Sequence, residues 1–299
     1  MQKKVQILMS AYNGKEYIET QLDSILAQTW SNLEILVRDD GSTDGTRELL
    51  EEYAASHSRV KFYPEENIGL VQSFFRLMER SDADYIGFSD QDDFWMPEKV
   101  ERAVEKVEKC SGPALYCGNQ ILVDSELNVL PGNENLPEKK PGFGNAVVES
   151  MCTGCTALMN RKLRDIVIEK GIPEHAIWHD WWCYLVASYL GTMIFDRNAY
   201  ILYRQHGGNQ LGSSRSEMRM LKNKFDFWKK TRGQLGAQLR DFQERFRGNA
   251  DKDELVDLLL STRHSIGARF RAAASRSVYR QKPFDNFVVK CLTLFGLML

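Results

Sequence analysis

The chain has few cysteines, no excess of positive charge and no long apolar run among its 299 residues. Six cysteines are too sparse for a disulfide framework, so we expect a reduced, cytoplasmic protein. The 39 lysines and arginines are balanced by 41 acidic residues, which argues against a general nucleic-acid binder. No apolar stretch approaches the roughly 20 residues that cross a bilayer. The first residues lack the layout of a secretory signal peptide.

The first 110 residues alternate between the apolar periods of strands and helices. Strands are predicted at 5–9, 33–37, 60–63 and 84–88. Helices are predicted at 17–28, 44–55, 69–80 and 97–109, with Ser42 or Asp44 as the N-cap of the second and Pro97 opening the fourth. This alternation predicts an α/β fold in which helices flank a mostly parallel sheet.

Polar residues collect just past three of these strands. They occupy Ser10–Asn13, Asp39–Asp40 and Asp90–Asp93. Open α/β sheets bind ligands at the carboxyl ends of their strands, so we expect a single site built from these three loops.

Two of the loops have both a structural and a functional interpretation. The carboxylates of Asp90–Asp93 could form a solvated acidic loop, or could hold Mg²⁺ or Mn²⁺, because hard oxygen ligands suit these ions. The string Asp39–Asp44 could serve only as a turn, or Asp39 could also accept a hydrogen bond from a nucleobase. The lone pair Cys152 and Cys155 lacks the second cysteine pair of a zinc site and is interpreted as structural.

A loop-rich stretch at about 112–144 includes a predicted hairpin near 122–129. The last 85 or so residues have a different character, with long basic and apolar helical stretches that begin near Met218. Six basic residues and no acidic residue lie between Asp257 and Asp285, and an apolar tail follows Phe284. This pattern fits a segment at a membrane surface, or a helix docked on the core or on a second subunit of a homo-oligomer.

Together with Leu26–Thr29 and Phe94–Pro97, the three loops resemble the family 2 glycosyltransferases with the GT-A fold, which transfer a sugar from a nucleotide diphosphate. The resemblance covers residues 3–110 strongly and extends more weakly to about residue 212. Three later strings are similar to bacterial rhamnosyltransferases of surface-polysaccharide assembly. These strings are Ser89–Trp95, His179–Trp182 and Tyr203–Gly207.

The resemblance implies a role for each matched residue. Nucleotide-binding positions would be Ser10, Ala11, Tyr12, Asn13, Asp39, Asp90, Gln91 and Arg204, of which Asp39 would meet N3–H of uracil or thymine. Asp92 would bind the metal, and His206 would complete its shell or form only a turn. Asp180 would be the catalytic base, although His179 replaces the usual neighbouring glutamate, and its alternative role is an N-cap.

The resemblance also implies the reaction. We expect an inverting, metal-dependent transfer of L-rhamnose from dTDP-L-rhamnose to a lipid-linked or oligosaccharide acceptor, at the inner face of the cytoplasmic membrane. The alternatives are a UDP-hexose or UDP-N-acetylhexosamine transferase and a non-catalytic carbohydrate-binding relative. The Gln-x-x-Arg-Trp motif of processive synthases is absent, which favours a single transfer per encounter. The expected organisation is a donor half at 1–110, an acceptor half at 111–215 and a helical, membrane-associating or oligomerising segment at 216–299.

Overall fold

The computed structural model describes residues 2–131, 136–206 and 233–299. The chain divides into two compact units that are interleaved along the sequence. The first unit consists of Met1–Leu136, Cys152–Ile172 and Leu190–His206, and the second of Pro137–Met151, Pro173–Tyr189 and Gly207–Leu299. The predicted division into a donor half, an acceptor half and a C-terminal segment is one of function, and it stays a prediction.

Within the described residues, eight strands of the first unit form one sheet. In chain order they are β1 (Val5–Ala11), β2 (Leu33–Asp40), β3 (Val60–Glu65), β4 (Tyr85–Ser89), β5 (Phe94–Trp95), β6 (Ala114–Val123), β7 (Leu158–Asn160) and β8 (Thr192–Arg204). Their order across the sheet is β3-β2-β1-β4-β7-β6-β8-β5. The pairs β3–β2, β2–β1, β1–β4 and β6–β8 are parallel, and the other three pairs are antiparallel. The predicted mostly parallel sheet is confirmed.

Helices cover the sheet and build the second unit. In chain order they are α1 (Ile18–Leu26), α2 (Thr46–Ser56), α3 (Leu70–Arg80), α4 (Lys99–Val107), α5 (Phe143–Ala146), α6 (Arg161–Glu169), α7 (His179–Leu190), α8 (Gln234–Arg245), α9 (Ala250–Ser261), α10 (Ile266–Ala274) and α11 (Pro283–Leu294). A short 3₁₀ helix spans Gly154–Thr156. The predicted C-terminal helices are confirmed for residues 234–294, whereas the predicted start near Met218 lies outside the described residues.

The apolar run predicted as a strand at 5–9 forms β1, which lies between β2 and β4 inside the sheet. All seven residues of β1 are buried, as expected for a strand with apolar side chains on both faces and neighbouring strands on both edges. Its core includes Ile7 and Met9, which are fully buried, and the apolar side of α1 with Leu22 and Ile25. Burial of these side chains therefore holds β1 in place, and with it the polar loop that follows the strand at the edge of the sheet.

Two helix starts differ from the prediction. The second helix begins at Thr46, and the residue before it is Gly45 with φ of 94°, so neither Ser42 nor Asp44 is its N-cap. The left-handed backbone at Gly45 ends the preceding turn, and glycine adopts this conformation without a steric penalty. The fourth helix begins at Lys99 rather than Pro97, because the Pro97 carbonyl instead accepts a hydrogen bond from the backbone N–H of Thr29 at 2.9 Å.

Aromatic side chains form the core of the second unit. Phe242 of α8 lies 5.3 Å from Tyr189 and 6.0 Å from Trp182, both on α7, measured between ring centroids. Phe143 of α5 lies 5.3 Å from Tyr189, which brings a third helix into the cluster. Among the described residues, no helix combines the length and hydropathy that would let it cross a membrane.

Candidate functional site

The three polar loops meet at one edge of the first unit. Strand β1 pairs in parallel with β2 and β4, and the register sets Ala11 beside Asp39 and Met9 beside Ser89. The residues that follow each strand therefore leave the sheet at the same edge, as the sequence predicts. The contacts between the loops show how they are held together.

Gln91 joins the loop after β4 to the loop after β1. Its Oε1 accepts a hydrogen bond from the Tyr12 backbone N–H at 2.9 Å, and its Nε2 donates to the Tyr12 carbonyl at 3.1 Å. A Cβ at position 14 would lie 2.3 Å from Cδ of Gln91, so Gly14 permits this approach. The Tyr12 side chain is 51% exposed. Gln91 thus holds the backbone of Tyr12 in place, while the aromatic ring of Tyr12 stays exposed to solvent.

Asn13 joins the loop after β1 to the loop after β2. Its backbone N–H donates to Ser42 Oγ at 2.9 Å, and its Oδ1 accepts from the Thr43 N–H at 2.8 Å. Its φ of 49° is in the left-handed region, which asparagine tolerates better than most residues. Asn13 therefore holds these two loops together at the sheet edge.

Ser10 and Ala11 are buried in the fold. Ala11 is fully buried, and the Ser10 hydroxyl donates to Ser73 Oγ of α3 at 2.6 Å. These contacts give both residues a packing role at the end of β1. Of the four predicted residues in this loop, only Tyr12 and Asn13 are exposed to a ligand that approaches the sheet edge.

Asp39 is fully buried and paired with a residue that sequence reasoning missed. Its Oδ2 accepts hydrogen bonds from Nε and Nη2 of Arg47, at 2.9 and 2.7 Å. Its carboxylate also accepts from the Ser42 backbone N–H, at 3.2 Å to Oδ1. Because Arg47 keeps 38% of its side chain exposed, the pair reaches from the interior to the protein surface. No local motif marks Arg47, which is a second-position residue of α2.

Asp40 has a separate structural role. It forms an ion pair with Arg38, whose side chain is 1% exposed. Its two oxygens accept from the backbone N–H groups of Ile68 and Gly69, at 2.8 and 2.9 Å, just before α3 begins. The carboxylate therefore supplies both a counter-charge for Arg38 and hydrogen-bond acceptors at the start of α3.

The two predicted metal ligands lie side by side. His206 Nε2 is 2.7 Å from Asp92 Oδ2, and both side chains are partly exposed, at 19% and 16%. The ring of Tyr17 lies 4.7 Å from the imidazole of His206, measured between centroids. Tyr17 directly precedes α1, and nothing in the sequence predicts its contact with His206. The structure thus brings together two residues separated by 114 positions in the chain.

Arg204 fastens the loop that carries Asp92. Its Nε donates to the Asp92 carbonyl at 2.7 Å, its backbone N–H donates to Asp93 Oδ1 at 3.1 Å, and Nη1 donates to the Ser125 carbonyl. Its guanidinium carbon lies 4.6 Å from the centroid of the Tyr17 ring. The side chain is 4% exposed. These contacts favour a positioning role over the predicted contact with the donor phosphates.

A buried polar cluster lies under the same loop. Asp90, Asp93 and Cys155 each place a ligand atom within 4.8 Å of the others. Burial, together with the charges of Asp90 and Asp92, raises the pKa of Asp93 well above its usual range. Burial also raises the pKa of the Cys155 thiol and lowers the pKa of Lys99 to about 7. The interior side of the loop therefore favours neutral groups, whereas Asp92 faces outward.

Asp180 lies in the second unit, in the first turn of α7. Its Oδ1 accepts a hydrogen bond from the Trp181 backbone N–H at 2.6 Å. The helix begins at His179 rather than at Trp181, so Asp180 is the second residue of the helix and not its N-cap. Burial lowers the pKa of His179 to about 3, which makes this imidazole neutral at physiological pH.

Asp92 and His206 fit a divalent cation. One carboxylate oxygen and one imidazole nitrogen leave most coordination positions to other ligands. Mg²⁺ and ions like it typically bind through one or two carboxylates plus the phosphates of a substrate. The partial exposure of both side chains leaves room for such a ligand at the sheet edge.

Comparisons with known proteins find relatives of this chain in sequence and in fold. The family model "Glycosyl transferase family 2" matches residues 6–167. The dTDP-rhamnosyl transferase RfbG of Shigella flexneri is 32% identical over 220 residues, which are 69% of this chain and 74% of that protein.

Two solved structures share the fold at low sequence identity. The mannosyltransferase PcManGT from Pyrobaculum calidifontis, in complex with GDP-Man and Mn²⁺, has a TM-score of 0.60 and 16% identity, over 99% of this chain and 86% of that chain. TarS 1–349 of S. aureus in complex with UDP-GlcNAc has a TM-score of 0.59 and 14% identity, over 99% and 82%.

Proposed function

The chain belongs to glycosyl transferase family 2, and from this premise we propose that it transfers L-rhamnose from dTDP-L-rhamnose to a glycan acceptor. The observation that supports the proposal most is the pair Asp92 and His206, 2.7 Å apart at the carboxyl edge of the sheet. The choice of sugar is supported by the relative from Shigella flexneri, a dTDP-rhamnosyl transferase. The motifs of residues 89–95, 179–182 and 203–207 support the same choice.

The loops after β1 and β2 would bind the nucleotide. The half-exposed ring of Tyr12 would lie against the base, with Asn13 at the pocket wall. Asp39 would accept N3–H of the thymine through Oδ1, which has only a long contact to the Ser42 N–H. Arg47 donates two hydrogen bonds to the other oxygen, Oδ2, and so holds the carboxylate in a fixed orientation.

The loop after β4 would bind the cation and the diphosphate. Asp92 and His206 would hold Mn²⁺ or Mg²⁺, and Asp90 would lie near the ribose and the water molecules of the ion. The bound ion would stabilise the negative charge that gathers on the departing nucleoside diphosphate. Arg204 and Gln91 would keep Asp92 and Tyr12 in place through their backbone contacts.

Asp180 would act as the catalytic base. An acceptor hydroxyl is a poor nucleophile at neutral pH, so a carboxylate must take its proton as the new C–O bond forms. Direct displacement by that oxygen inverts the anomeric carbon and needs one base.

The acceptor would be a lipid-linked or oligosaccharide glycan of cell-surface polysaccharide. Such an acceptor would place the enzyme in the cytoplasm, as a peripheral protein at the inner face of the membrane. The C-terminal helices would then associate with the membrane or with a second subunit.

A donor screen tests the proposed sugar and nucleotide. The purified chain, with Mn²⁺, is given dTDP-L-rhamnose, UDP-glucose or UDP-N-acetylglucosamine, and release of the nucleoside diphosphate is measured. We expect turnover with dTDP-L-rhamnose at least tenfold above that with either UDP-sugar. Faster release from a UDP-sugar would support the UDP-hexose or UDP-N-acetylhexosamine transferase instead, an alternative favoured by the structural likeness to TarS bound to UDP-GlcNAc.

The non-catalytic alternative predicts a different result. A carbohydrate-binding relative would bind glycan without releasing nucleotide from any donor. The side chains of Asp39, Asp92 and Asp180 are all present, whereas loss of any one of them would favour this alternative.

A further inference from the structure

The last two helices form an antiparallel pair. The guanidinium of Arg269, in the middle of α10, packs against the backbone of Gly296 just after α11, where a Cβ would lie 2.5 Å from Cζ. Lys290, within α11, donates to the carbonyl of Ser275 just after α10, at 3.3 Å. The middle of each helix therefore lies beside the end of the other.

Helix α11 exposes its apolar side. Large apolar side chains are exposed at i, i+3, i+4, i+10 and i+11, which is one face of a helix. They are Phe284 (58%), Phe287 (65%), Val288 (36%), Leu294 (39%) and Phe295 (73%). The buried side of the helix is smaller and includes Val289 and Thr293. We call the five exposed residues the apolar stripe.

The neighbouring helix adds to this surface. Ile266 and Phe270 of α10 are four residues apart and are 69% and 64% exposed. Their helix packs through Ala268 and Ala272, which are almost fully buried. Four large exposed phenylalanines therefore lie on two adjacent helices, and exposed apolar side chains in such numbers usually mark an interaction site.

The charge around this surface has one sign. Residues 258–299 contain seven lysines and arginines and one acidic residue, Asp285. Arg263, Arg271 and Arg276 are exposed and belong to the same segment of the chain as the exposed phenylalanines. A partner that covers the surface must therefore be apolar where it meets the phenylalanines and negatively charged around them.

We propose that α10 and α11 dock on the surface of an anionic lipid bilayer, with the apolar stripe inserted among the acyl chains. A helix with aromatic residues on one side and arginines beside them is typical of an interfacial segment. Each basic residue near an anionic leaflet adds to binding. A second copy of this chain is disfavoured as the partner, because a symmetric contact through this surface would set arginines against arginines.

This inference deepens the proposed peripheral location and does not depend on which donor the enzyme uses. Vesicles of phosphatidylcholine alone, and of phosphatidylcholine with phosphatidylglycerol, are mixed with the full chain and floated on a density gradient. We expect the chain to bind the anionic vesicles at least tenfold more strongly than the neutral ones. We expect 0.5 M NaCl to weaken this binding without abolishing it, since salt screens charges and not the apolar contact.

Matched variants test the surface itself. The double substitution F287S/F295S should lower binding to anionic vesicles at least tenfold, and R271E/R276E should do so at low salt. The controls V129S and K61E change an exposed valine and an exposed lysine of the first unit, and should bind as the wild type does. All five chains should release nucleotide from the donor at the same rate in the absence of vesicles.

Three results would overturn the proposal. The first is failure of the wild-type chain to bind anionic vesicles. The second is unchanged vesicle binding in F287S/F295S. The third is conversion of an oligomer to a monomer by F287S/F295S, measured by analytical ultracentrifugation, which would assign the surface to a second copy. Failure of donor hydrolysis in every chain would count against the proposed function and leave the vesicle result to be judged separately.

Discussion

At the scale of single residues, the site separates residues that can meet a ligand from residues that hold the loops. Asp92 and His206 are partly exposed and face each other. Gln91 forms hydrogen bonds with the backbone of Tyr12, and Arg204 donates a hydrogen bond to the backbone carbonyl of Asp92. The sequence marks all of these positions as polar, and only the contacts distinguish the two groups.

Asp180 can be tested at this scale. Asp180→Asn should leave donor binding nearly unchanged and lower turnover at least about a hundredfold, because an amide cannot take the proton of the acceptor hydroxyl. Steady-state kinetics with a glycan acceptor and calorimetry with the donor give the two readouts. The control is Asp251→Asn, an exposed aspartate in the first turn of α9 in the same unit. Near-normal turnover of Asp180→Asn would limit Asp180 to its contact with the Trp181 N–H.

At the scale of elements, apolar periodicity was sufficient to predict the strands β1 to β4 and the helices that follow them, but not the remaining four strands of the sheet. The predicted strand 5–9 and the observed β1 (Val5–Ala11) share their start, because a run of buried apolar residues has little alternative to a central strand. Helix starts were less predictable. The turn at Gly45 and the carbonyl contact of Pro97 depend on residues that are distant in sequence or on backbone geometry, and neither leaves a periodic signal.

Long-range pairing also limited prediction of the site. His206 and Asp92 could be matched through the family resemblance, whereas Arg47 and Tyr17 could not. Arg47 is one basic residue on a helix with several charges, and its contact with Asp39 depends on how α2 packs beside β2. Tyr17 meets both His206 and Arg204 only because β8 ends next to the start of α1.

Asp40 tests how one element holds another. Asp40→Ala should lower the free energy of unfolding by about 3 kcal/mol, because it leaves the buried guanidinium of Arg38 without its nearest counter-charge. It also removes the acceptor for the N–H groups that precede α3. Urea unfolding followed by circular dichroism measures the change. Asp165→Ala, at a half-exposed aspartate of α6, is the control and should change the free energy by less than about 1 kcal/mol.

At the scale of the whole molecule, the buried His179 gives the stability a dependence on pH. Its pKa is lowered from 6.5 to about 3 by burial, so the unfolded chain takes up a proton below pH 6.5 and the folded chain does not. The free energy of unfolding should therefore fall as the pH drops from 6.5 towards 3, by about 2 kcal/mol between pH 7 and pH 5 from this residue. Above pH 6.5 both states are neutral and the effect vanishes.

The variant His179→Gln isolates this contribution. Because glutamine does not titrate, the difference in unfolding free energy between variant and wild type should shift by about 2 kcal/mol, in favour of the variant, on going from pH 7 to pH 5. Urea unfolding at both pH values measures it. A constant difference between wild type and His179→Gln across this range would show that His179 takes up a proton in the folded state as readily as in the unfolded state, and would contradict this prediction.

The central claim is that Asp92 and His206 form a cation site that serves a nucleotide. Calorimetric titration of dTDP into the chain with and without Mn²⁺ tests it most directly, with Asp165→Asn as the control. We expect Mn²⁺ to strengthen dTDP binding in the wild type and the control. In Asp92→Asn this gain should be lost, and in His206→Ala it should be reduced, because the site offers few protein ligands. An undiminished gain with Mn²⁺ in Asp92→Asn would contradict the account.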